Sequence, residues 1–141
     1  MSKQLSILIV EDDNDDAFLI CRAFKKAGVH HSLIRVSNGE QALDYLNRKN
    51  DLAHRSDYSL PSLMLLDIKM PKYTGFQVLE WLLNHEEFGT FPVVVLSSSV
   101  QREDVEKAKA LGASDYINKP MGLSGYDQVV RTITRKWLTS I

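Results

Sequence analysis

Short apolar runs alternate with amphipathic stretches along this chain, five times over. Leu5–Val10 is an apolar run of strand length that ends in charge at Glu11. From Asp15 to Ala27, Ala17, Ile20, Cys21 and Phe24 recur at helical spacing, and Gly28 marks the stop. Asp13 or Asn14 is placed to cap this helix, and Asp15 and Asp16 suit its positive end. Ser32–Val36 reads as the second strand. Asn38–Leu46 reads as the second helix, with Ala42, Leu43 and Leu46 on one face. A polar stretch from Asn47 to Ser59, closed by Pro61, reads as a long loop. Leu63–Leu66 is a strand that stops at Asp67, and Phe76–Leu83 is a helix with Phe76, Leu79, Leu82 and Leu83 in register. Pro92 opens the strand Val93–Leu96, and Asp104–Leu111 is a helix ending at Gly112. Asp115–Asn118 is a short strand closed by Lys119-Pro120. Gly125–Leu138 is the last helix, with Val129, Val130, Ile133 and Trp137 on its apolar side.

Strands this apolar are expected to be buried on both faces of a parallel sheet. Right-handed crossovers then place helices on both sides. The predicted fold is α/β, a doubly wound (βα)5 sandwich. Ligands of such sheets bind beyond the carboxyl ends of the strands, at the topological switch point.

Composition narrows the function. The 141 residues suit one domain over 1–141, with no output domain expected. Seventeen basic and eighteen acidic residues leave a net charge of −1. That balance argues against a nucleic-acid partner held by phosphate attraction. The single cysteine, Cys21, cannot form an internal disulfide and sits in an apolar helical pattern, as a small core residue would. The start of the chain is too short in apolar residues and too acidic for a signal peptide, and no apolar stretch reaches membrane-spanning length. A cytoplasmic location with no membrane association is expected.

The chemistry concentrates at the strand ends. The first strand ends in Glu11-Asp12-Asp13, the third in Asp67, the fourth in Ser97, and the fifth near Lys119-Pro120. Each signal alone has a plain explanation: a helix cap, a turn serine, a surface lysine. Their fall at four strand ends, in order, points to one site. Clustered carboxylates remain ionised together only with a cation, and oxygen ligands with room for water suit Mg²⁺. A lysine ammonium suits a phosphoryl oxygen, and a serine hydroxyl can donate to the same group.

On these segments the chain resembles the receiver domain of two-component response regulators, over nearly its full length. The resemblance rests on Ile7-Leu8-Ile9-Val10-Glu11-Asp12-Asp13, on Leu65-Leu66-Asp67-Ile68-Lys69-Met70-Pro71 with Gly75, on Pro92-Val93-Val94-Val95-Leu96-Ser97, and on Gly112-Ala113-Ser114-Asp115-Tyr116-Ile117-Asn118-Lys119-Pro120. It implies a flavodoxin-like sheet of order 2-1-3-4-5. It implies Asp67 as phosphoacceptor, Mg²⁺ on Glu11, Asp12, Asp67 and the Lys69 main-chain carbonyl, and Ser97 and Tyr116 as switch residues. Lys119 would sense the phosphoryl group, with a cis peptide between Lys119 and Pro120. The implied partners are a sensor histidine kinase and a downstream protein. The readout would be a changed surface over helix 4, strand 5 and helix 5, a face also suited to homodimer formation. The loop after the second helix and the ending Arg135-Lys136-Trp137-Leu138 resemble stand-alone regulators paired with phytochrome-type kinases.

Some positions depart from the commonest pattern. Lys69 stands where a polar or small residue is frequent, and its side chain could crowd the water that attacks a phosphoryl group. Thr74 precedes Gly75 where an acid is frequent, Ser97 replaces the equally familiar threonine, and Glu11 replaces the first aspartate.

Two other classes fit less well. An aspartate-nucleophile phosphatase uses a second acid two residues after the nucleophile, and here that residue is Lys69. A nucleotide or flavin module wants a Gly- or hydroxyl-rich loop after the first strand, and Glu11-Asp12-Asp13 would repel the phosphate. His30, His31, His54 and His85 share no metal-ligand spacing and read as surface or loop residues. Ser97-Ser98-Ser99 lacks a nucleophile-elbow pattern. Trp81 reads as half-buried on the third helix. Trp137, with Leu138 and Ile141, either covers the end of the last helix or belongs to a contact between copies, and the helical spacing favours packing.

Overall fold

The computed structural model describes residues 5–47, 60–88 and 90–138. Its strands are β1 (Ser6–Val10), β2 (Ser32–Val36), β3 (Leu63–Leu66), β4 (Val93–Ser97) and β5 (Asp115–Asn118). Its helices are α1 (Asn14–Lys26), α2 (Gly39–Asn47), α3 (Gly75–Leu83), α4 (Arg102–Ala110) and α5 (Gly122–Ile133), the last continued by a π-helical turn over Thr134–Leu138. All strand pairs are parallel, in the order β2-β1-β3-β4-β5. The doubly wound arrangement is the one the alternation of runs predicts, and the flavodoxin-like strand order is the one the resemblance implies.

The residues of β1, β3 and β4 are buried throughout, and those of the edge strands β2 and β5 only in part. Strand residues alternate between two cores, because successive side chains point to opposite faces. Leu8, Val10, Met64, Leu66, Val93 and Val95 pack with Ala42, Leu46, Val78, Leu79, Leu82 and Ala108 from α2, α3 and α4. Ile7, Ile9, Leu63, Leu65, Val94 and Leu96 pack with Ile20, Ala23 and Phe24 of α1 and Tyr126, Val130 and Ile133 of α5. Each large side chain of this kind contributes roughly 1.5–3 kcal/mol by leaving water.

Two helices begin more than one residue earlier than periodicity suggests. Helix α4 starts at Arg102 and α5 at Gly122. Arg102, Glu103, Met121, Gly122, Leu123 and Ser124 are all exposed, so their turns carry no apolar stripe to read. Asp13 caps α1, accepting from the Asp16 N–H at 2.9 Å. Trp81 is half-buried, stacked on His85 at 4.0 Å between ring centroids and on Phe88 at 5.3 Å. His85 is therefore part of an aromatic stack rather than a bare surface residue. Cys21 is half-buried against the α1–α5 core, and burial pushes its thiol pKa up. Trp137 and Leu138 pack against the same core. Residues 48–59, expected from sequence to form a loop and including His54, and Ile141 lie outside the described residues. Among those described, no helix is long and apolar enough to cross a membrane.

Gly75 positions the site from below. A Cβ there would lie 2.5 Å from the Asp67 carbonyl oxygen and 2.8 Å from the Ile68 Cα. Both are backbone atoms, so neither can swing aside. Gly75→Ala should cost about 1–3 kcal/mol, the usual range for overpacking, read as a lower urea midpoint with an unchanged slope. A variant of wild-type stability would mean that the α3 start can shift away from β3 freely.

Candidate functional site

Strands β1 and β3 run in register, with Val10 opposite Leu66. The next residues, Glu11 and Asp67, therefore leave the sheet side by side. The ladder holds both one step beyond the strands: Asp67 N–H donates to the Val10 carbonyl and Glu11 N–H to the Val36 carbonyl, each at 3.1 Å. On the other side of β3, Ser97 of β4 stands opposite Asn118 of β5. The following residue, Lys119, donates its N–H to the Ser97 carbonyl at 2.8 Å.

These placements bring one ammonium among three carboxylates. Lys119 Nζ lies 2.9 Å from Glu11 Oε1, 3.0 Å from Asp16 Oδ2 and 3.2 Å from Asp67 Oδ2. Glu11 and Asp67 are only 2% and 4% exposed, where an uncompensated charge would be costly. Main-chain groups supply further compensation: Lys69 N–H donates to Asp67 Oδ1 at 3.1 Å and Asp13 N–H to Glu11 Oε2 at 3.0 Å. Compensation is incomplete. Burial, reinforced by the Asp67 charge, pushes Glu11 up to about 7 despite Lys119. Burial likewise pushes Asp67 up, outweighing the nearby Lys119 and the Lys69 N–H. Burial works to strip the Lys119 proton, but hydrogen bonds to Glu11 and Asp16 and the charge of Asp67 hold it on more firmly than usual.

Glu11, Asp12 and Asp67 each offer a carboxylate oxygen, and these oxygens lie within 4.8 Å of one another. Adjacent ligands of an octahedral ion with bonds of about 2.1 Å stand about 3 Å apart, and opposite ones about 4.2 Å. A modest contraction satisfies that geometry. The donors are hard oxygens, and exposed Asp12 leaves an open side for water. Three carboxylates surround the one ammonium and Asp12 adds a fourth beside Glu11 and Asp67, so the group carries a charge of −3 when all are ionised. The residues fit a small divalent cation.

The remaining expected residues fall around this centre. Ser97 is fully buried, and its Oγ accepts from the Ser99 N–H at 3.2 Å. Tyr116 donates its hydroxyl to the Ser99 carbonyl at 3.0 Å, tying β5 to the β4–α4 loop. The Lys69 side chain turns toward α4, its Nζ 3.4 Å from Asp104 Oδ2, an oxygen to which the Ser99 hydroxyl also donates. Asp13 is the α1 cap, one of the two capping candidates read from the sequence, and stands apart from the carboxylate cluster. One expectation is corrected. The Lys119–Pro120 peptide is trans, not cis. Trans is the preferred X–Pro form by about 0.5–1 kcal/mol, and the trans-linked lysine already reaches all three acids. The ring of Pro120 is closely covered by α5: a Cβ on Gly125 would lie 2.7 Å from Pro120 Cβ.

Sequence reading misses Asp16 and Tyr126. Asp16 Oδ1 accepts the Tyr126 hydroxyl at 2.9 Å while Oδ2 holds Lys119. Its signal is an acid four and eight residues before Ile20 and Phe24, both buried, and so at an inward position of α1. An acid in a first helical turn has a sufficient local explanation, which hides this one.

The raised Glu11 pKa has a consequence for stability. Folding takes up a proton between the unfolded value of 4.5 and the folded value of about 7. The resulting stabilisation is full below the unfolded value and is lost as pH rises through the folded one. In chelator-treated protein, the stability of wild type relative to Glu11→Gln should fall between about pH 4.5 and about pH 7, with a slope of at most about 1.4 kcal/mol per pH unit. Urea midpoints at several pH values measure it. A pH-independent difference would contradict the uncompensated burial.

Comparison with known proteins agrees with this geometry. Residues 7–131 match the family described as response regulator receiver domain. Response regulator Rcp1 of Synechocystis sp. is 30% identical over 135 residues, covering 96% of this chain and 90% of that protein. The crystal structure of the phosphorylated cyanobacterial phytochrome response regulator RcpA is 33% identical and superimposes with a TM-score of 0.86, covering 99% of this chain and 97% of that one. A structure of the Mn²⁺-bound form of response regulator Rcp1 is 29% identical with a TM-score of 0.84, covering 97% and 96%. With its parallel five-stranded sheet and its acids gathered beyond β1 and β3, the chain belongs to the receiver domains of two-component response regulators and is homologous to those linked to phytochromes.

Proposed function

We propose that Asp67 is the phosphoacceptor, taking a phosphoryl group from a phosphohistidine on a sensor kinase of the phytochrome type. The observation that carries this reading is the shared Lys119 ammonium. It faces the buried Asp67 and Glu11 together, at the edge where ligands of such sheets bind. An Asp67 oxygen attacks phosphorus, the P–N bond breaks as the P–O bond forms, and the bonding pair returns to the imidazole nitrogen. The transition state is loose, so positioning and charge neutralisation dominate. The Lys69 N–H and the Lys119 ammonium fix the Asp67 carboxylate by one oxygen each. Lys119 is then free to pair with a phosphoryl oxygen, and the Ser97 hydroxyl donates to another. A divalent cation, which we assign as Mg²⁺ on Glu11, Asp12, Asp67 and the Lys69 carbonyl, supplies further neutralisation of phosphoryl charge.

The same reading assigns the output. Ser97 moving to a phosphoryl oxygen gives up the Ser99 N–H, and Ser99 is also the residue that the Tyr116 hydroxyl and Asp104 hold. One new charge thereby loosens the β4–α4 loop and lets Tyr116 turn inward, a two-state element biased by covalent modification. The surface formed by α4, β5 and α5 is the face offered to a downstream protein or a second copy. Dephosphorylation, by water on the acyl phosphate, is the only turnover expected.

Acetyl phosphate with Mg²⁺ should label the protein with an acid-stable, hydroxylamine-sensitive phosphoryl group, and Asp67→Asn should abolish it. A phytochrome-type kinase should label faster than unrelated kinases, and sedimentation before and after labelling reports any self-association. Labelling of Asp67→Asn at a comparable rate would overturn the assignment.

Asp104 bears on the lifetime of that group, because it draws Lys69 toward α4 and away from Asp67. Asp104→Asn should free the ammonium to cover the acyl phosphate and slow its hydrolysis about two- to fivefold, as expected of an ion pair worth up to ~1 kcal/mol. The decay of labelled protein after removal of phosphodonor measures this. Faster decay would show that Lys69 promotes hydrolysis when released.

A further inference from the structure

One buried hydroxyl near the site has no part in the mechanism above. Tyr126 is 1% exposed, yet it stands in an otherwise apolar core with Ile20, Phe24, Val130 and Ile133. A phenylalanine would fill the same volume. Its hydroxyl donates to Asp16 Oδ1, and Asp16 Oδ2 accepts from Lys119. A continuous path thus runs from Asp67 through Lys119 and Asp16 to the interior of α5. Residue 127, the next along α5, is tied to α1 as well: Asp127 pairs with Lys26 at 3.0 Å and Arg22 at 3.9 Å. Among the described residues, the α1–α5 seam is therefore pinned by polar side chains at these two points, of which the Asp16–Tyr126 point touches the site.

We propose that Asp16 is a positioning residue for Lys119, and that its bond to Tyr126 transmits the movement of that lysine to the α1–α5 seam. The proposal rests on Asp67 being the phosphoacceptor. Lys119 and a divalent cation compete for Glu11 and Asp67, because the same two acids serve both. Asp16 lies outside the carboxylate cluster and offers the ammonium a place to stand when the cation takes those oxygens. Without it, Lys119 settles onto Glu11 and Asp67 and opposes cation binding. When a phosphoryl group later draws Lys119 forward, Asp16 loses one of its two partners. The carboxylate then turns toward the remaining one or to water, and the seam at Tyr126 loosens or tightens with it. The face made by α1 and α5 is opposite to the α4 side that the Ser99 and Tyr116 contacts serve, so the seam carries a second, separate response.

Two measurements test this. Asp16→Asn should weaken Mg²⁺ binding, measured by calorimetry, about fivefold, the size of an ion pair worth ~1 kcal/mol. Asp15→Asn removes the same charge from the exposed neighbouring position and should leave the affinity within about twofold of wild type, since an exposed charge at a distance is largely screened. Equal effects of the two variants would overturn the positioning role and leave only net charge. In wild type, amide hydrogen exchange across residues 122–130 should change on labelling with acetyl phosphate. In Tyr126→Phe, which keeps the volume, labelling should persist and that change should vanish. An unaltered exchange response in Tyr126→Phe would overturn the transmission. The cation titration needs no phosphoryl group, so a protein that never labels would refute the phosphoacceptor reading while the Asp16 comparison still decides its own question.

Discussion

The ammonium of Lys119, shared among Glu11, Asp16 and Asp67, is the interaction on which the rest of the site depends. The parallel sheet delivers two acids side by side in a nearly dry environment, and their mutual repulsion adds to the cost of burial. A single lysine from the end of β5, donated across the width of β3 and β4, is what lets both remain in place. Main-chain N–H groups at Lys69 and Asp13 complete the satisfaction of the inner oxygens. The balance stays short of neutral: burial holds Glu11 and Asp67 above their ordinary pKa range, while the acids around Lys119 hold its proton more firmly than usual.

From that centre, polar ties leave in two directions. Toward α4 run Ser97, Ser99, Tyr116, Asp104 and Lys69. Toward α1 and α5 run Asp16 and Tyr126. The sheet between them is densely packed by aliphatic side chains on both faces, and such cores resist continuous deformation. A small displacement at the acidic edge is consequently expressed in the loops and helix ends that carry these ties, where alternative hydrogen-bonded arrangements cost little, rather than in the strands.

The family likeness and the residue chemistry support different statements. A shared sheet order and a long superposition establish the scaffold, which many functions can occupy. What makes this scaffold a receiver is the set of groups at one edge. The departures from the common pattern fall in the same region. Lys69 places a second cation near Asp67, and Asp104 draws it aside; Asp16 and Tyr126, which lie outside the motifs, set an acid and a hydroxyl behind Lys119. On the proposed reading, such neighbours would leave the reaction class unchanged and would set how long a phosphoryl group lasts and where its arrival is felt.

Much of this was legible along the chain. Continuous aliphatic runs such as Leu63–Leu66 can only be doubly buried strands, and the charge that ends each run marks the same edge of the sheet, so the fold and Glu11, Asp12, Asp67, Ser97 and Lys119 follow from local pattern. The polar first turns of α4 and α5 were not legible, because exposed turns leave no periodic trace. Nor were the trans Lys119–Pro120 bond or the direction of the Lys69 side chain, each chosen among near-equal local options by contacts from elsewhere. The Asp16–Tyr126 pair shows the reason most plainly. Its members stand 110 residues apart, one explained by a helix terminus and the other by an apolar stripe. Local chemistry gives each residue a sufficient role, and only the packing of α5 against α1 brings the hydroxyl to the acid.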